Sequence, residues 1–234
     1  MTQTAATRTE WLEKRKSLLA REKQLTRLRD EIAAERRALP RVRVEKPYEF
    51  ESERGPRTLA DLFDGRSQLL VYHFMYPESW KDGCKSCSFW ADGYDGIQPH
   101  LAARDVTLVA ISKASLAKLL AFRKRMGWSF PWYSSAASDF NRDFAVSFTP
   151  EELASRALVY NFGTAPFGVE EAPGISVFVR ESSGEIFHTY SCYSRGLDML
   201  NPAYQLLDLV PKGRDEAGMA YAMSWLRLHD EYGS

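Results

Sequence analysis

No apolar run in this chain approaches the ~20 residues that a membrane-crossing helix needs, which excludes a helical membrane protein. The stretch Met1 to Arg15 lacks the apolar core and small-residue cleavage site of a secretory leader, so a cytoplasmic protein is expected. Three cysteines in 234 residues are too few for a disulfide scaffold. There is no glycine-rich phosphate loop, no internal repeat and no low-complexity tract. Net charge is absent too: 31 Lys and Arg balance 31 Asp and Glu. What remains is an ordinary globular composition, 44% apolar and 26% charged, long enough for a substantial core.

The balanced charge conceals an uneven distribution. Residues 1–46 hold 13 Lys and Arg against 7 Asp and Glu, a net +6 that leaves −6 for the rest. A basic segment can meet nucleic acid or an acidic surface. Its acids are interspersed and no aromatic stacking platform accompanies it, so a solvated helix face is expected, with no nucleic-acid or membrane partner. Trp11, Leu18, Leu25, Ile32 and Leu39 recur every seven residues, and nothing between Glu10 and Leu39 breaks a helix before Pro40. Such a helix is about 45 Å long. Lys14, Arg21 and Glu35 occupy the alternate core positions, which argues against a free-standing coiled coil. An apolar stripe of this length packs on its own domain or on a second subunit, and a homodimer contact through the N-terminal helix is expected. The expected organisation is a helical extension over 1–46 and a main domain over 47–234.

Within the main domain, Tyr48–Glu53 alternates like a strand, Gly55-Pro56 marks a turn, and Thr58 caps a short helix over Leu59–Phe63. Gln68–Met75 and Val106–Ser112 have the length and apolarity of strands buried on both faces. Between them lie a loop with Pro77, the pair Cys84 and Cys87, and a helix through Trp90 toward Ile97. Ser115–Met126 reads as an amphipathic helix ended by Gly127, Phe130–Ser134 as a strand and Asp139–Val146 as a helix. The segment 149–173 has no clear period and reads as an insertion, partly helical over 151–158. Ile175–Arg180 and Glu185–Tyr190 form a hairpin about Ser183-Gly184, and a helix over about Ala217–Asp230 closes the chain. The order β-α-β-α-β-α-β-β-α implies an α/β fold, an open sheet with helices on its faces.

Cys84-Lys85-Ser86-Cys87 follows a buried strand and opens a helix. A thiolate there meets unpaired amides and the positive end of the helix dipole, both of which lower its pKa, and Lys85 adds a cation. Cys84 is then the attacking thiol and Cys87, one turn on, the resolving one. The same pair is also half of a zinc site that His188 and Cys192 could complete, or two inert core thiols. Covalent haem attachment is excluded by Ser88, where a histidine is required, and no bound cofactor is expected. Cys192 reads as a third redox centre or a small buried hydrophobe. His188 reads as an acid/base or a locally bonded strand residue, and Arg195 as an anchor for a thiolate or acidic group or as a surface ion pair. Tyr76, Trp80, Phe89, Trp90 and Tyr94 flank the pair and suggest an apolar docking groove or core packing.

Several of these segments carry a resemblance. Tyr48-x-Phe50, Thr58-Leu59-x-Asp61-Leu62-Phe63-x-Gly65-Arg66 and Leu70-Val71-Tyr72-His73-Phe74 resemble the opening of peroxiredoxin-type thioredoxin folds. Trp80-x-x-Gly83-Cys84-x-x-Cys87-Ser88-Phe89-Trp90-Ala91-Asp92, Phe130-Pro131-Trp132-Tyr133-Ser134-Ser135, Phe187-His188-Thr189-Tyr190-Ser191 and Arg195-Gly196-Leu197-Asp198 are similar to a bacterial family, domain of unknown function 899. Its members are described as predicted dithiol-disulfide oxidoreductases of the thioredoxin superfamily. The resemblance implies a thioredoxin-like, peroxiredoxin-type mixed sheet, a thiol-disulfide exchange activity through Cys84 and Cys87, and protein or small-molecule thiols and disulfides as partners. It also implies a proline, usually cis, beside the dithiol, for which Pro173 is the match, with Trp80, Cys192 and Arg195 flanking the site. A peroxiredoxin needs threonine three residues before the attacking cysteine, and Lys81 stands there.

Overall fold

The computed structural model describes residues 4–155, 159–163 and 167–233. The chain divides into two compact units, residues 1–40 and 41–234. The first is one helix, α1, Arg8–Ala38. Thr7 begins it: its hydroxyl accepts the Glu10 amide while the Glu10 carboxylate returns to the Thr7 amide, satisfying two orphaned donors of the first turn. None of its residues is buried, and Trp11, Leu18, Leu25 and Leu28 are each about half exposed.

In the second unit the strands are β1 (Val42–Arg43), β2 (Glu49–Phe50), β3 (Arg57–Thr58), β4 (Gln68–His73), β5 (Val106–Ser112), β6 (Trp132–Ser134), β7 (Gly174–Arg180) and β8 (Ile186–Tyr193). The helices following α1 are α2 (Lys85–Ala91), α3 (Gln98–Ala102), α4 (Leu116–Met126), α5 (Phe140–Asp143), α6 (Pro150–Ser155) and α7 (Pro202–Leu207). β2 and β3 pair as a two-stranded ribbon, and the other six strands form one sheet in the order β1-β8-β7-β4-β5-β6. β4, β5 and β6 are parallel, while β7 and β8 return antiparallel beside β4. A parallel βαβ unit joined to an antiparallel hairpin, with the dithiol after the first strand of the unit, is the thioredoxin-like arrangement that the resemblance implies.

Alternation along the central strands creates two cores. Tyr72, Phe74, Leu108, Ala110 and Ile175 face one side and meet Cys87, Trp90, Leu119 and Phe122. Leu69, Val71, Val109, Ile111 and Phe178 face the other, covered by Leu62, Phe63 and Phe140. The expected strands, hairpin and amphipathic helix are present, with Ser115 before α4 and Gly127 closing it at φ +67°. The short helix after Thr58 is a single 3-10 turn, Asp61–Phe63, whose Asp61 carboxylate accepts the Thr58 amide and hydroxyl. The helix expected over 151–158 appears as α6, and residues 156–158 lie outside the described residues.

The expected closing helix over 217–230 is absent; only a 3-10 turn, His229–Glu231, forms there. Gly218 and Met223 adopt positive φ, and the Glu216 carboxylate gathers Tyr204 Oη, the Met223 amide and Trp225 Nε1 at 2.8–2.9 Å. Helical periodicity in this tail is therefore overridden by one carboxylate that draws three donors from different directions. Of the residues whose spacing suggested the helix, Leu228 is buried and Tyr221 is exposed, so they do not share a face.

The fully buried Phe140 contacts the rings of Tyr48, Phe50, His73 and Phe144. Phe140→Ala is expected to lower stability by about 3–5 kcal/mol, read as a lower urea midpoint with unchanged slope. A loss below about 1 kcal/mol would show that this face of the sheet is not closed by α5.

Candidate functional site

The dithiol is positioned by a loop that closes on itself. Beyond β4 the chain leaves the sheet, and the Cys84 amide returns to donate to the Met75 carbonyl at 3.1 Å. Gly83 makes the closure feasible: a Cβ there would lie 2.8 Å from both the Phe74 and Phe122 rings. Tyr76 Oη donates to the Lys81 carbonyl at 2.9 Å, and Lys118 Nζ donates to the carbonyls of Glu78 and Trp80. The buried Glu171 carboxylate accepts the Tyr76 amide at 3.1 Å and the Ser147 hydroxyl at 3.1 Å. Burial raises the Glu171 carboxyl to about 7.

Cys84 is the N-cap of α2 and is partly exposed, while Cys87 is buried; both are thiols. The Cys87 amide donates to Cys84 Sγ at 3.4 Å, and the Ser88 hydroxyl donates to the Cys84 carbonyl. The Cys84 thiol is lowered to about 7, chiefly by the Cys87 thiol, against the opposing effect of burial, with the Cys87 and Ser86 amides and the Ser86 hydroxyl adding to it. Lys85 is not among these leading influences. Burial, and then the Cys84 sulfur, push Cys87 up. The two thiols therefore differ: one is partly exposed and acidic, the other buried and protonated. Tyr72 Oη donates to the Cys87 carbonyl at 3.1 Å, tying α2 to the sheet beneath it.

Beside Cys84 opens a cavity of about 260 Å³. Its walls include Tyr72 and Met75 from the sheet edge, Cys87 and Trp90 from α2, Tyr160 and Phe167 from the insertion, and Leu197 and Met223 from the C-terminal part. Pro173 lines it as expected, and its carbonyl accepts the Tyr160 hydroxyl at 2.9 Å. Its peptide bond is not cis: the described residues contain no cis bond. Trans is the isomer favoured by about 0.5–1 kcal/mol, and in it the ring already reaches the cavity wall. Arg195 also lines the cavity, with its exposed guanidinium bonded to Asp198 at 3.0 Å. Of the two readings of Arg195 it is the surface ion pair that is observed, at the mouth of the cavity.

Other expected neighbours are placed elsewhere. Of the five flanking aromatics only Trp90 lines the cavity, and its indole donates to the Leu197 carbonyl at 2.8 Å. Tyr76 and Tyr94 are core residues, Phe89 packs edge-on against Trp90, Tyr204 and Trp225, and Trp80 packs at the margin of that core. Trp80 is thus close in sequence but not in the wall. Cys192 is buried opposite Ile175 on the α2 side of the sheet and does not line the cavity either.

The zinc set fails on strand geometry. His188 and Cys192, four apart, would share a face of a regular strand. Here Val177 pairs with Tyr190 but Phe178 pairs with His188, so Thr189 is an extra residue that reverses the alternation. His188 consequently packs edge-on to Phe144 and tilted against Phe178 on the opposite face from Cys192, and its Nε2 meets Ser191 Oγ at 2.8 Å. Ser191 Oγ meets Ser176 Oγ, which meets His73 Nε2, each at 2.8 Å. Burial lowers both histidines, His73 to about 3, so this line of groups is a neutral polar bridge in the core. Among the described residues no group of three or more His, Cys, Asp or Glu side chains is placed to hold a metal ion. Sequence reasoning missed Tyr72, Met75, Tyr160, Phe167 and Met223; only Tyr72, in the strand before the dithiol, carried a signal.

The chain belongs to the family described as "Bacterial protein of unknown function (DUF899)", whose model matches residues 1–232. No curated protein matches the sequence. Among solved structures the chain is similar to peroxidoxin BcpB from Mycobacterium tuberculosis, at 15% identity and TM-score 0.46 over 69% of this chain and 93% of that one. It is likewise similar to a mutant of peroxiredoxin Q from Xanthomonas campestris, at 15% identity and TM-score 0.46 over 68% and 90% of the two chains. A hypothetical protein from Sinorhizobium meliloti 1021 matches at 16% identity and TM-score 0.38 over 60% and 64%.

Two pH dependences follow. Iodoacetamide should alkylate Cys84 with a half-maximal rate near pH 7, and Ser86→Ala should move that midpoint upward, while Cys87 stays unmodified in the native protein. A wild-type midpoint near 9 would show that the cap does not activate the thiol. Glu171 titrates in the opposite sense from a salt-bridged acid. Because its folded pKa is raised to about 7, its contribution is full below the unfolded value near 4.5 and is lost as pH rises through 7, a change of roughly 3 kcal/mol. Glu171→Gln should flatten the fall in urea stability between pH 5 and 8. An unchanged slope would place the Glu171 carboxylate in contact with water.

Proposed function

We propose that this protein is a thiol-disulfide oxidoreductase in which Cys84 attacks and Cys87 resolves. The observation that carries the reading is the asymmetry of the pair: Cys84 is partly exposed with its sulfur accepting an amide, and Cys87 is buried one helical turn away. The Cys84 thiolate displaces one sulfur of a substrate disulfide, forming a mixed disulfide and releasing the first thiolate. Cys87 then loses its proton and attacks Cys84 Sγ, closing the Cys84–Cys87 disulfide and releasing the second thiolate. Two electrons pass to the substrate, and an external dithiol returns the protein to its starting state.

The gain from the low thiol pKa is real but limited. Moving a thiol from 9 to about 7 raises the thiolate fraction at pH 7 about fiftyfold. The lower intrinsic nucleophilicity of a weaker base returns most of that, leaving roughly a sixfold advantage. Positioning must supply the remainder. Lys81 disfavours peroxide reduction, because the position where a peroxiredoxin carries a threonine hydroxyl here bears a lysine, whose carbonyl is occupied by Tyr76 Oη.

Cys87→Ser removes the resolving thiol and should accumulate a mixed disulfide at Cys84 after treatment with a disulfide, seen as a stable mass increase. Wild-type protein under the same conditions should instead lose 2 Da as the internal disulfide closes. Absence of both products would overturn the assignment. Faster oxidation of Cys84 by hydrogen peroxide than by any disulfide would replace it with peroxidase chemistry.

A further inference from the structure

The cavity beside Cys84 has features that disulfide exchange alone does not require. Cys84 and Cys87 lie in one wall, so a substrate sulfur in contact with Cys84 has its substituent directed either outward or into this space. The remaining walls are mostly aromatic and aliphatic: Tyr72, Met75, Trp90, Phe167, Leu197 and Met223. Among the described residues the polar side chains lining it are Ser86, Ser194, Arg195 and Asp198, with the Tyr160 hydroxyl already bonded to Pro173 and the Ser194 amide and the Tyr72 hydroxyl to the Cys87 carbonyl. Arg195 and Asp198 are bonded to each other, and Asp198 also takes Arg214. The rim is thus internally neutralised rather than set out for a charged ligand.

Size narrows the occupant. At about 260 Å³ the space exceeds the ~150 Å³ that holds one benzene ring, yet falls below the ~300–1,000 Å³ typical of drug-sized ligands. A tripeptide thiol such as glutathione brings two carboxylates and an ammonium, whereas the charged side chains lining this space, Arg195 and Asp198, are already bonded to each other.

Resting on the oxidoreductase reading above, we propose that the substrate is a small-molecule disulfide bearing an apolar substituent of about ring size, which this cavity receives while Cys84 attacks the attached sulfur. The exchange balances as before: the substrate S–S bond breaks, the Cys84–S bond forms, and one thiolate leaves. The incoming Cys87 sulfur then expels the seated thiolate as the Cys84–Cys87 bond forms. Both electrons end on the two released thiols, with the protons of Cys84 and Cys87. The cavity orients the scissile bond by holding one substituent. It also discriminates, because a charged or strongly hydrated substituent would have to lose its water without compensation.

The test compares rates of oxidation of the reduced protein by dibutyl disulfide, bis(2-hydroxyethyl) disulfide, glutathione disulfide and insulin. Each small-molecule rate is divided by that of a free alkyl thiol with the same disulfide, which removes intrinsic reactivity. The dibutyl compound should be favoured over bis(2-hydroxyethyl) and glutathione disulfides by at least about tenfold, the scale on which apolar pockets discriminate. Met223→Gln, similar in shape, should reduce that preference severalfold. Equal normalised rates for all three small disulfides would overturn the apolar-substituent proposal and leave the oxidoreductase reading standing. Insulin reduced in preference to all of them would make a protein the substrate. No oxidation of Cys84 by any of the four would overturn the oxidoreductase reading itself.

Discussion

Backbone at Gly83 passes so close to the rings of Phe74 and Phe122 that no side chain fits there. That approach lets the Cys84 amide reach the Met75 carbonyl, and the loop leaving β4 therefore returns to the sheet before α2 begins. Everything specific to the site follows from this closure. It sets Cys84 at the N-cap, turns the first amides of α2 toward its sulfur, and drives Cys87 into the core on the next turn. Phe74 and Phe122 are themselves held in an aromatic cluster with Trp128 and Trp132, so the loop closes against a rigid surface. Glu171 and Lys118 secure the same loop from outside, one through a backbone amide and the other through carbonyls.

The opposite directions of the two thiols have one origin. Burial raises any thiol, because the thiolate loses its hydration. At Cys84 hydrogen bonds, chiefly from the Cys87 thiol, outweigh burial, whereas at Cys87 burial outweighs the donors it has. An exchange reaction needs this ordering. A resolving thiol that ionised first would compete with the attacking one, and an attacking thiol as deeply buried as Cys87 would meet no substrate.

One extra residue in β8 governs the other half of the molecule. Thr189 reverses the alternation, sending Tyr190 and Cys192 toward α2 and Ile186 and His188 toward the face closed by α5. The line His73, Ser176, Ser191, His188 then pairs the Nε2 atoms of both histidines and the two serine hydroxyls across neighbouring strands. This puts His188 on the face of the sheet away from Cys192, so the two do not complete a four-ligand set with the dithiol.

Local interactions made much of this legible in the amino-acid order. The buried strands, α1 and α4, the hairpin and the strand-dithiol-helix junction depend on residues within a few positions of one another, so periodicity and terminators such as Pro40 and Gly127 reveal them. The difference between Cys84 and Cys87 is equally local, being one helical turn. The tail after Glu216 misled, since its apolar spacing is helical while its conformation answers to Tyr204, Met223 and Trp225 around a single carboxylate. The bulge at Thr189 carries no composition of its own, and it arises from how β8 registers on β7. Tertiary structure alone decided the cavity. Tyr72, Tyr160, Leu197 and Met223 lie up to about 150 positions apart and share a wall only after the sheet is assembled, because burial is a property of the folded surface. The sequence by itself determined where a thiol would be activated; the packing of distant segments determined what that thiol faces.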